Sequence, residues 1–429
     1  MTDYANFLAA KAILAPPTGR TIALDDVHPL LHTWQAESVQ WAAQQGRAAI
    51  FWDCGLGKSF AQLEWARLMA DTSLIVAPLS VARQTVREAT KLDIDVRYVR
   101  SSDDVTDPGV WITNYEMIEH FDASIFGAVV LDESSILKNY VGAIRTSLID
   151  RFSDTPYRLA CTATPAPNDV AELTNHAEFL GVMSRVDMLA AYFIHDSDVG
   201  WRIKGHAERP MYEWMRTWSQ AVRMPGDLGY PNDGYELPAM TIDPVIVDAV
   251  VEAEGQLFPT ELGGVGGRAT VRRATLDSRV SATVDIVNQH SDEQIIVWCG
   301  LNDESSALAR AIPDAVNVEG SWAPDAKAAA LEAFQDGEIR VLVSKPKIAG
   351  FGMNFQNARR MIFCGVGDSY ESYYQCIRRC YRFGQQREVI AHIVVSELEQ
   401  QIIVNVRRKE RDAQRAISGI INAMQGAIA

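Results

Sequence analysis

Between a short apolar run and a segment with helical spacing, residues 52–59 read W-D-C-G-L-G-K-S. Gly55 and Gly57 lack a Cβ, so the backbone there can turn tightly and aim several N–H groups at one phosphate. The helix expected to start behind them adds the positive end of its dipole. Lys58 supplies a point charge for β- and γ-phosphates, and Ser59 supplies a hydroxyl for Mg²⁺. The strict eight-residue phosphate-loop pattern asks for Gly at position 52, where this chain has Trp, so the match is to the core Gly-x-Gly-Lys-Ser.

Two further groups have the right chemistry. The apolar run Ala128 to Leu131 ends in Asp132-Glu133, as a Mg-nucleotide site needs: Asp132 to hold the metal and Glu133 to polarise the attacking water. The same carboxylates, with Ser134 and Ser135, would serve equally to cap the next helix. After the run Tyr157 to Cys161, Thr162 and Thr164 place hydroxyls at a strand end, where they either sense a γ-phosphate or make a turn. Near the C-terminus, Arg379 and Arg382 are three apart on an expected helix over Tyr370 to Tyr381 and its end, so they share a face and can meet one phosphate. Arg378 is also within a turn of Arg382, and spacing alone leaves the pair open.

These residues need elements to position them. Strand-like runs at Ala48–Trp52, Ser73–Ala77, Val96–Val99, Val110–Thr113, Ala128–Leu131 and Tyr157–Cys161 alternate with helical segments. That alternation implies a mostly parallel sheet covered on both faces, with ligands at the carboxyl ends of the strands. A second α/β unit follows, with strands at Gln294–Cys299, Arg340–Ser344, Arg360–Cys364 and Val389–Val395, and it lacks a phosphate loop of its own. Residues 182–240 carry Tyr192, Phe193, Trp201, Tyr212, Trp214 and Trp218 at helical spacing and show no strand alternation. The predicted division is a lead-in at 1–20, an α/β lobe at 21–181, a helical, aromatic insert and linker at 182–268, and a second α/β lobe with a terminal helix at 269–429. The run Gly263–Gly267 (GGVGG) reads as a hinge.

Composition narrows the class. At 429 residues the chain is long enough for two to three domains. Six scattered cysteines show no zinc spacing and no disulfide framework, which fits thiols in a reducing compartment. No apolar run reaches the roughly twenty residues of a membrane span, and the N-terminus lacks a signal-peptide pattern, so a cytoplasmic location is expected. The net charge of −15 argues against a surface coated in basic residues. A local basic groove remains compatible with it, because exposed charges more than a Debye length apart, about 8 Å at physiological salt, are largely screened.

Taken in order, D-C-G-L-G-K-S, L-I-V-A-P-L-S, V-W-I-T-N-Y-E, V-V-L-D-E-S-S-I-L-K-N, C-T-A-T-P-A-P-N-D, A-G-F-G-M-N-F and Q-C-I-R-R-C-Y-R-F-G-Q span roughly Gln35 to Gln385. This ordered set resembles the superfamily 2 helicases, most closely the Swi/Snf-type ATPases in their compact, phage- or prophage-encoded form. The resemblance implies an α/β fold of two tandem RecA-like lobes with a small helical insertion between them. It also implies an ATP- and Mg²⁺-dependent motor acting on DNA, with duplex DNA favoured.

Carried over residue by residue, the resemblance implies that Asp53, Cys54, Gly55, Leu56, Gly57, Lys58, Ser59 and Phe60 enclose the nucleotide, with Gln35 reading adenine. Ser59 and Asp132 would serve the metal. Gly350 and Gly352 would lie in a loop touching the nucleotide, and Arg379 with Arg382 would stabilise transition-state charge, so the resemblance selects Arg379 over Arg378. Thr162, Thr164 and Gln375 would couple the nucleotide to the track. Pro78, Ser80, Arg83, Thr113, Asn114, Lys345, Lys347 and Asn354 would meet the nucleic-acid backbone. Three departures stand out: Ser-Ser follows Asp132-Glu133 where the family has Ala-His or Ala-Asp, Lys345 replaces a frequent Thr, and the loop before Gly350 is one residue longer. A strand-separating helicase and a nucleotide-gated binding or assembly module are the competing readings.

Overall fold

The expected parallel strands form, and they collect into two separate sheets. The computed structural model describes residues 15–139, 142–196, 200–248, 271–350, 353–365, 367 and 369–428. The chain divides into two units, one comprising Met1–Asp233 with Arg411–Ala429 and the other Gly234–Glu410. The expected hinge at 263–267 lies outside the described residues.

In the first unit the elements run α1 (Thr33–Gln45), β1 (Arg47–Trp52), α2 (Lys58–Met69), β2 (Thr72–Ala77), α3 (Leu79–Ala89), β3 (Val96–Tyr98), β4 (Gly109–Asn114), β5 (Ala128–Asp132), α4 (Ala143–Arg151), β6 (Tyr157–Cys161) and α5 (Leu173–Leu180). The central strands are fully buried along nearly their whole length, which is why they read as continuous apolar runs. The sheet order is β3-β4-β2-β5-β6-β1-β9, all parallel.

The seventh strand corrects the sequence reading of residues 182–240. After α6 (Arg185–Tyr192), that stretch forms an antiparallel hairpin, β7 (Phe193–Asp196) with β8 (Gly200–Ile203), then α7 (Glu208–Met215) and β9 (Ser219–Val222), which pairs with β1. With four residues and every side chain buried, β9 offers no alternation to detect. The aromatic residues here are largely core. Tyr192 stacks on Trp214 at 5.7 Å, Trp214 meets Trp218 at 5.4 Å, and Trp218 meets Phe51 of β1 at 6.4 Å. Such pairs add about 0.5–1.5 kcal/mol each beyond burial.

The second unit contains β10 (Met240–Val247), α8 (Leu276–Gln289), β11 (Ile295–Cys299), α9 (Asn302–Ala311), β12 (Ala315–Val318), α10 (Pro324–Gln335), β13 (Val341–Ser344), α11 (Pro346–Ala349), β14 (Arg360–Cys364), α12 (Tyr370–Cys380) and β15 (Val389–Ser396). Its six strands are parallel in the order β10-β15-β14-β11-β13-β12. Edge strands β10 and β12 went unread in the sequence, and β10 accommodates Pro244 because Pro is tolerated at an edge. The last helix, α13 (Gln400–Ile428), sends its final residues into the first unit, where Ala416, Ile420 and Ile421 join the aromatic core. Two parallel sheets covered by helices make this a tandem RecA-like α/β fold.

Candidate functional site

In the first unit, β5, β6 and β1 are neighbours, and their register aligns Asp132 with Cys161 and Cys161 with Ile50. The carboxyl ends of all three strands therefore open on one edge. There the chain delivers the phosphate loop from β1, Asp132-Glu133 from β5 and Thr162 from β6.

The loop has the backbone its glycines permit, with φ of 89° at Gly55 and 78° at Gly57. Gly57 is the N-cap of α2, so Lys58 and Ser59 occupy its first turn. Lys58 Nζ donates to the carbonyls of Trp52 (2.8 Å) and Asp53 (3.1 Å), and Asp53 Oδ1 accepts from the Cys54 amide at 2.7 Å. The indole N–H of Trp52, the departure from the strict pattern, is buried on Gln220 of β9 at 3.0 Å. The Trp is thereby a sheet residue, and the loop proper begins after it.

Gln35 holds the loop from α1. Its Nε2 donates to the Leu56 carbonyl at 2.8 Å and its Oε1 accepts the His32 amide at 2.8 Å. Each amide atom makes one of these bonds to the protein, and each retains capacity for a second partner.

Asp132 is 5% exposed, and its Oδ1 accepts the Glu133 amide at 3.0 Å. Burial raises its pKa, opposed by Gln62 and by the charge of Lys58. Tyr115, whose hydroxyl donates to the Asp132 carbonyl at 2.6 Å, has its own pKa pushed well up by burial and by the neighbouring acids. Glu133 adopts left-handed φ 54° and ψ 52°, and its Oε2 accepts from Thr162 Oγ1 at 3.4 Å. Thr162 Oγ1 also accepts the Thr164 amide at 3.0 Å, while Thr164 Oγ1 is buried without a hydrogen-bond partner.

Gln62 was not singled out in the sequence. It follows Lys58 by four residues, is wholly buried, sits beside Asp132, and completes no full hydrogen bond with either amide atom. The i, i+4 spacing from Lys58 was the available signal.

The proposed track residues fall into two groups. Pro78 caps α3, which carries Ser80 and an exposed Arg83. Thr113 is wholly buried with its hydroxyl on the Val99 carbonyl (2.8 Å), and Asn114 is nearly so, bonded to Tyr98 and Glu116. In the second unit Lys345 caps α11 and donates to Asn302, and Lys347 is exposed on the same short helix. Gly350 ends α11, Asn354 bonds Gln356 at 3.0 Å, and Gly352 lies outside the described residues.

The two arginines are placed differently from the sequence expectation. Helix α12 ends at Cys380, so Arg382 lies in the turn beyond it and the shared-helix-face argument does not apply. A positive φ of 97° at Gly384 and three bonds from Gln385 Nε2 to the carbonyls of Gln356, Ala358 and Cys380 shape that turn. Arg379 is held by its Nε to the Gln375 carbonyl (3.0 Å), Nη2 to Gln375 Oε1 (2.9 Å) and Nη1 to the Met353 carbonyl (3.0 Å). Arg378 instead lies among the rings of Tyr374, Tyr381 and Phe383, with its guanidinium carbon 5.5–5.9 Å from the centroids.

Comparison with known proteins locates this chain. Residues 278–384 match the family described as Helicase conserved C-terminal domain. The RNA polymerase-associated protein RapA of Actinobacillus pleuropneumoniae serotype 3 (strain JL03) is 28% identical over 194 residues, covering 42% of this chain and 20% of that protein. Its counterpart in serotype 5b (strain L20) is 27% identical over the same extent. The chain thus spans about a fifth of the length of these curated relatives. A solved Sulfolobus solfataricus SWI2/SNF2 ATPase core in complex with dsDNA is 17% identical, with coverage of 92% of this chain and 97% of that one and a TM-score of 0.45. Among the described residues no helix is long and apolar enough to cross a membrane. The helicase C-terminal match lies on the second α/β unit, while the phosphate loop, paired acids and threonines are gathered on the first.

Proposed function

We propose that this protein hydrolyses ATP and couples the hydrolysis to movement along DNA, with duplex DNA favoured. The observation that carries the reading is the convergence of Lys58, Asp132, Glu133 and Thr162 at one sheet edge behind a loop with two left-handed glycines. The residues fit a magnesium nucleotide. Lys58 Nζ is turned back to the carbonyls of Trp52 and Asp53 at the mouth of the loop, and the buried, unsatisfied Gln62 amide beside Asp132 suits a hydrated cation.

In this reading the loop amides and Lys58 bind the β- and γ-phosphates, and Ser59 and Asp132 hold Mg²⁺. When bound, Mg²⁺ would draw charge off the phosphate oxygens. Glu133, the one acid of the pair that touches Thr162, orients and accepts the proton of the attacking water. Thr162 passes its state to Thr164. Arg379 and Arg382 of the second unit are assigned to charge developing on the transferred phosphoryl group, a role typically worth about 10³–10⁵ in kcat. Arg83, Lys345 and Lys347 are assigned to backbone phosphates, which supply affinity without sequence choice.

The test is the steady-state ATPase rate of wild type and Glu133→Gln without nucleic acid and with single-stranded DNA, duplex DNA or RNA, at two salt concentrations. Strong stimulation by duplex DNA, abolished in Glu133→Gln, is the expected result. Stimulation by single strands alone would replace the duplex translocase with a strand-separating helicase. Slow hydrolysis indifferent to every nucleic acid would sink the motor and leave a nucleotide-gated module.

A further inference from the structure

Glu133 and Asp93 are the two non-glycine residues with positive φ among those described. A left-handed backbone at such a residue costs roughly 1–2 kcal/mol and persists where its surroundings over-determine it. At Glu133 the N-terminal side is fixed by the bond to Asp132 Oδ1. What fixes the C-terminal side is a residue outside every motif.

Ser134, immediately after Glu133, is wholly buried, and its Oγ lies 3.1 Å from Nε2 of His176. His176 comes from α5 and is itself wholly buried. Burial drives its pKa down to about 4, so the ring is neutral at working pH. The Glu172 backbone, one turn back, pushes the other way, and Nδ1 completes no hydrogen bond. The neutral ring joins Ser134 through Nε2, one of the two groups donating and the other accepting. The ring also stands edge-on to Phe51 of β1, with centroids 5.2 Å apart and planes at 86°. One imidazole thus touches the strand that enters the phosphate loop and the residue that leaves the acid.

We infer that His176 is a positioning residue for the ATPase reaction: by its hydrogen bond with Ser134 while packed on Phe51, it locks the turn that aims Glu133 relative to the phosphate loop. This rests on the ATPase reading above. The Ser-Ser that follows the acid is then a functional difference, because Ser134 recruits from another helix the imidazole that the local sequence lacks.

The experiment compares His176→Leu, His176→Gln, Ser134→Ala and the Ser134→Ala/His176→Leu double variant with wild type and Glu133→Gln. It reads kcat and KM for ATP well below each variant's thermal midpoint, together with binding of a fluorescent ATP analogue. His176→Leu and Ser134→Ala should each lower kcat roughly 10- to 100-fold with KM and analogue affinity changed less than about twofold. The double variant should be no worse than the more impaired single, and His176→Gln, whose amide can still meet Ser134, should recover most of the rate. Unchanged kcat in folded His176→Leu, or effects that multiply independently, overturns the inference. Should His176→Leu fail to fold, Ser134→Ala decides, since it removes the same bond with little change in volume. Wild type lacking any ATPase sensitive to Glu133→Gln overturns the underlying reading and this inference with it. Wild-type activity abolished by Glu133→Gln but untouched by the other variants overturns this inference alone.

Discussion

Gln35 and Gly57 are pressed together: a Cβ placed on Gly57 would lie 2.4 Å from Gln35 Nε2. The same amide is bonded to the Leu56 carbonyl, so the glutamine acts as a clamp on the outside of the phosphate loop.

Gly57→Ala is therefore predicted to fail twice, through the left-handed φ of 78° and through collision with the clamp. Affinity for a fluorescent ATP analogue should fall at least tenfold, with a stability loss on the order of 1–2 kcal/mol. Adding Gln35→Ala should recover part of the affinity by opening the space. A double variant as weak as or weaker than Gly57→Ala alone would show that backbone strain accounts for the whole effect.

Arg378 and Arg379 are adjacent in sequence yet predict different losses. Arg379→Ala should lower kcat by about 10³ or more with little change in thermal midpoint, as expected of a charge acting on the transition state. Gln375→Ala, which releases the side-chain bond to Arg379 Nη2 and keeps the backbone carbonyl that holds Nε, should cost less. Arg378→Ala should instead destabilise the second unit by roughly 2 kcal/mol by emptying its aromatic surround. The reverse assignment, with Arg378 dominating kcat, would move the finger to the other arginine that spacing left open.

The chain's strands were legible to within a residue or two wherever a run was apolar and long, as at β2, β5 and β14. Strands β9 and β12 were too short to show a period, and β10, exposed along one face and interrupted by Pro244, looked like linker. At the candidate site, residue types and order singled out Lys58, Asp132, Glu133 and Thr162, which the fold brings to one sheet edge, because such chemistry is carried by local motifs. Gln62 and His176 escaped because their roles arise from contacts across 70 and 42 residues, to Asp132 and Ser134 respectively, and each looks like an ordinary helix residue in sequence. Arg382 was misjudged structurally because a helix was extended past Cys380 into the turn that Gly384 closes.

Glu304 and Arg279 form a fully buried ion pair at 2.6 Å, and Glu304 also accepts from Arg272 Nη2 (3.0 Å) and from the amides of Gly300 (2.8 Å) and Leu301 (2.9 Å). Removing one partner strands the other charge, at a cost of about 3–5 kcal/mol. Glu304→Ala should lower stability by that order in equilibrium denaturation. Simultaneous Arg279→Met/Glu304→Leu should be less harmful than Glu304→Ala, and additive losses would exclude a coupled network.

His176 makes stability pH-dependent in a defined direction. Its folded pKa of about 4 lies below the ordinary value of 6.5, so the unfolded chain takes up a proton first as pH falls. The contribution of the neutral ring is complete above about pH 6.5 and is lost between there and pH 4, to a total of about 3 kcal/mol. Unfolding free energies measured across that window should slope downwards with acidity, and His176→Gln should flatten the slope. An unchanged slope would mean the ring is charged or solvated in the folded protein.

Helix α13 has a consequence for how the protein is made. The apolar face formed by Tyr212, Met215 and Trp218 belongs to the first unit, yet Ala416, Ile420 and Ile421 complete its core from the far end of the chain. Gly419 lies so close to the Tyr212 ring that a Cβ there would meet Cε2 at 2.3 Å. A ribosome that has finished the phosphate loop, the acids and all seven strands of the first sheet has still not released a closed first unit. That unit closes only once residues 416–421 have emerged, so a nascent chain interrupted before them carries an open aromatic face, a substrate for chaperones and proteases rather than a free-standing nucleotide-binding domain.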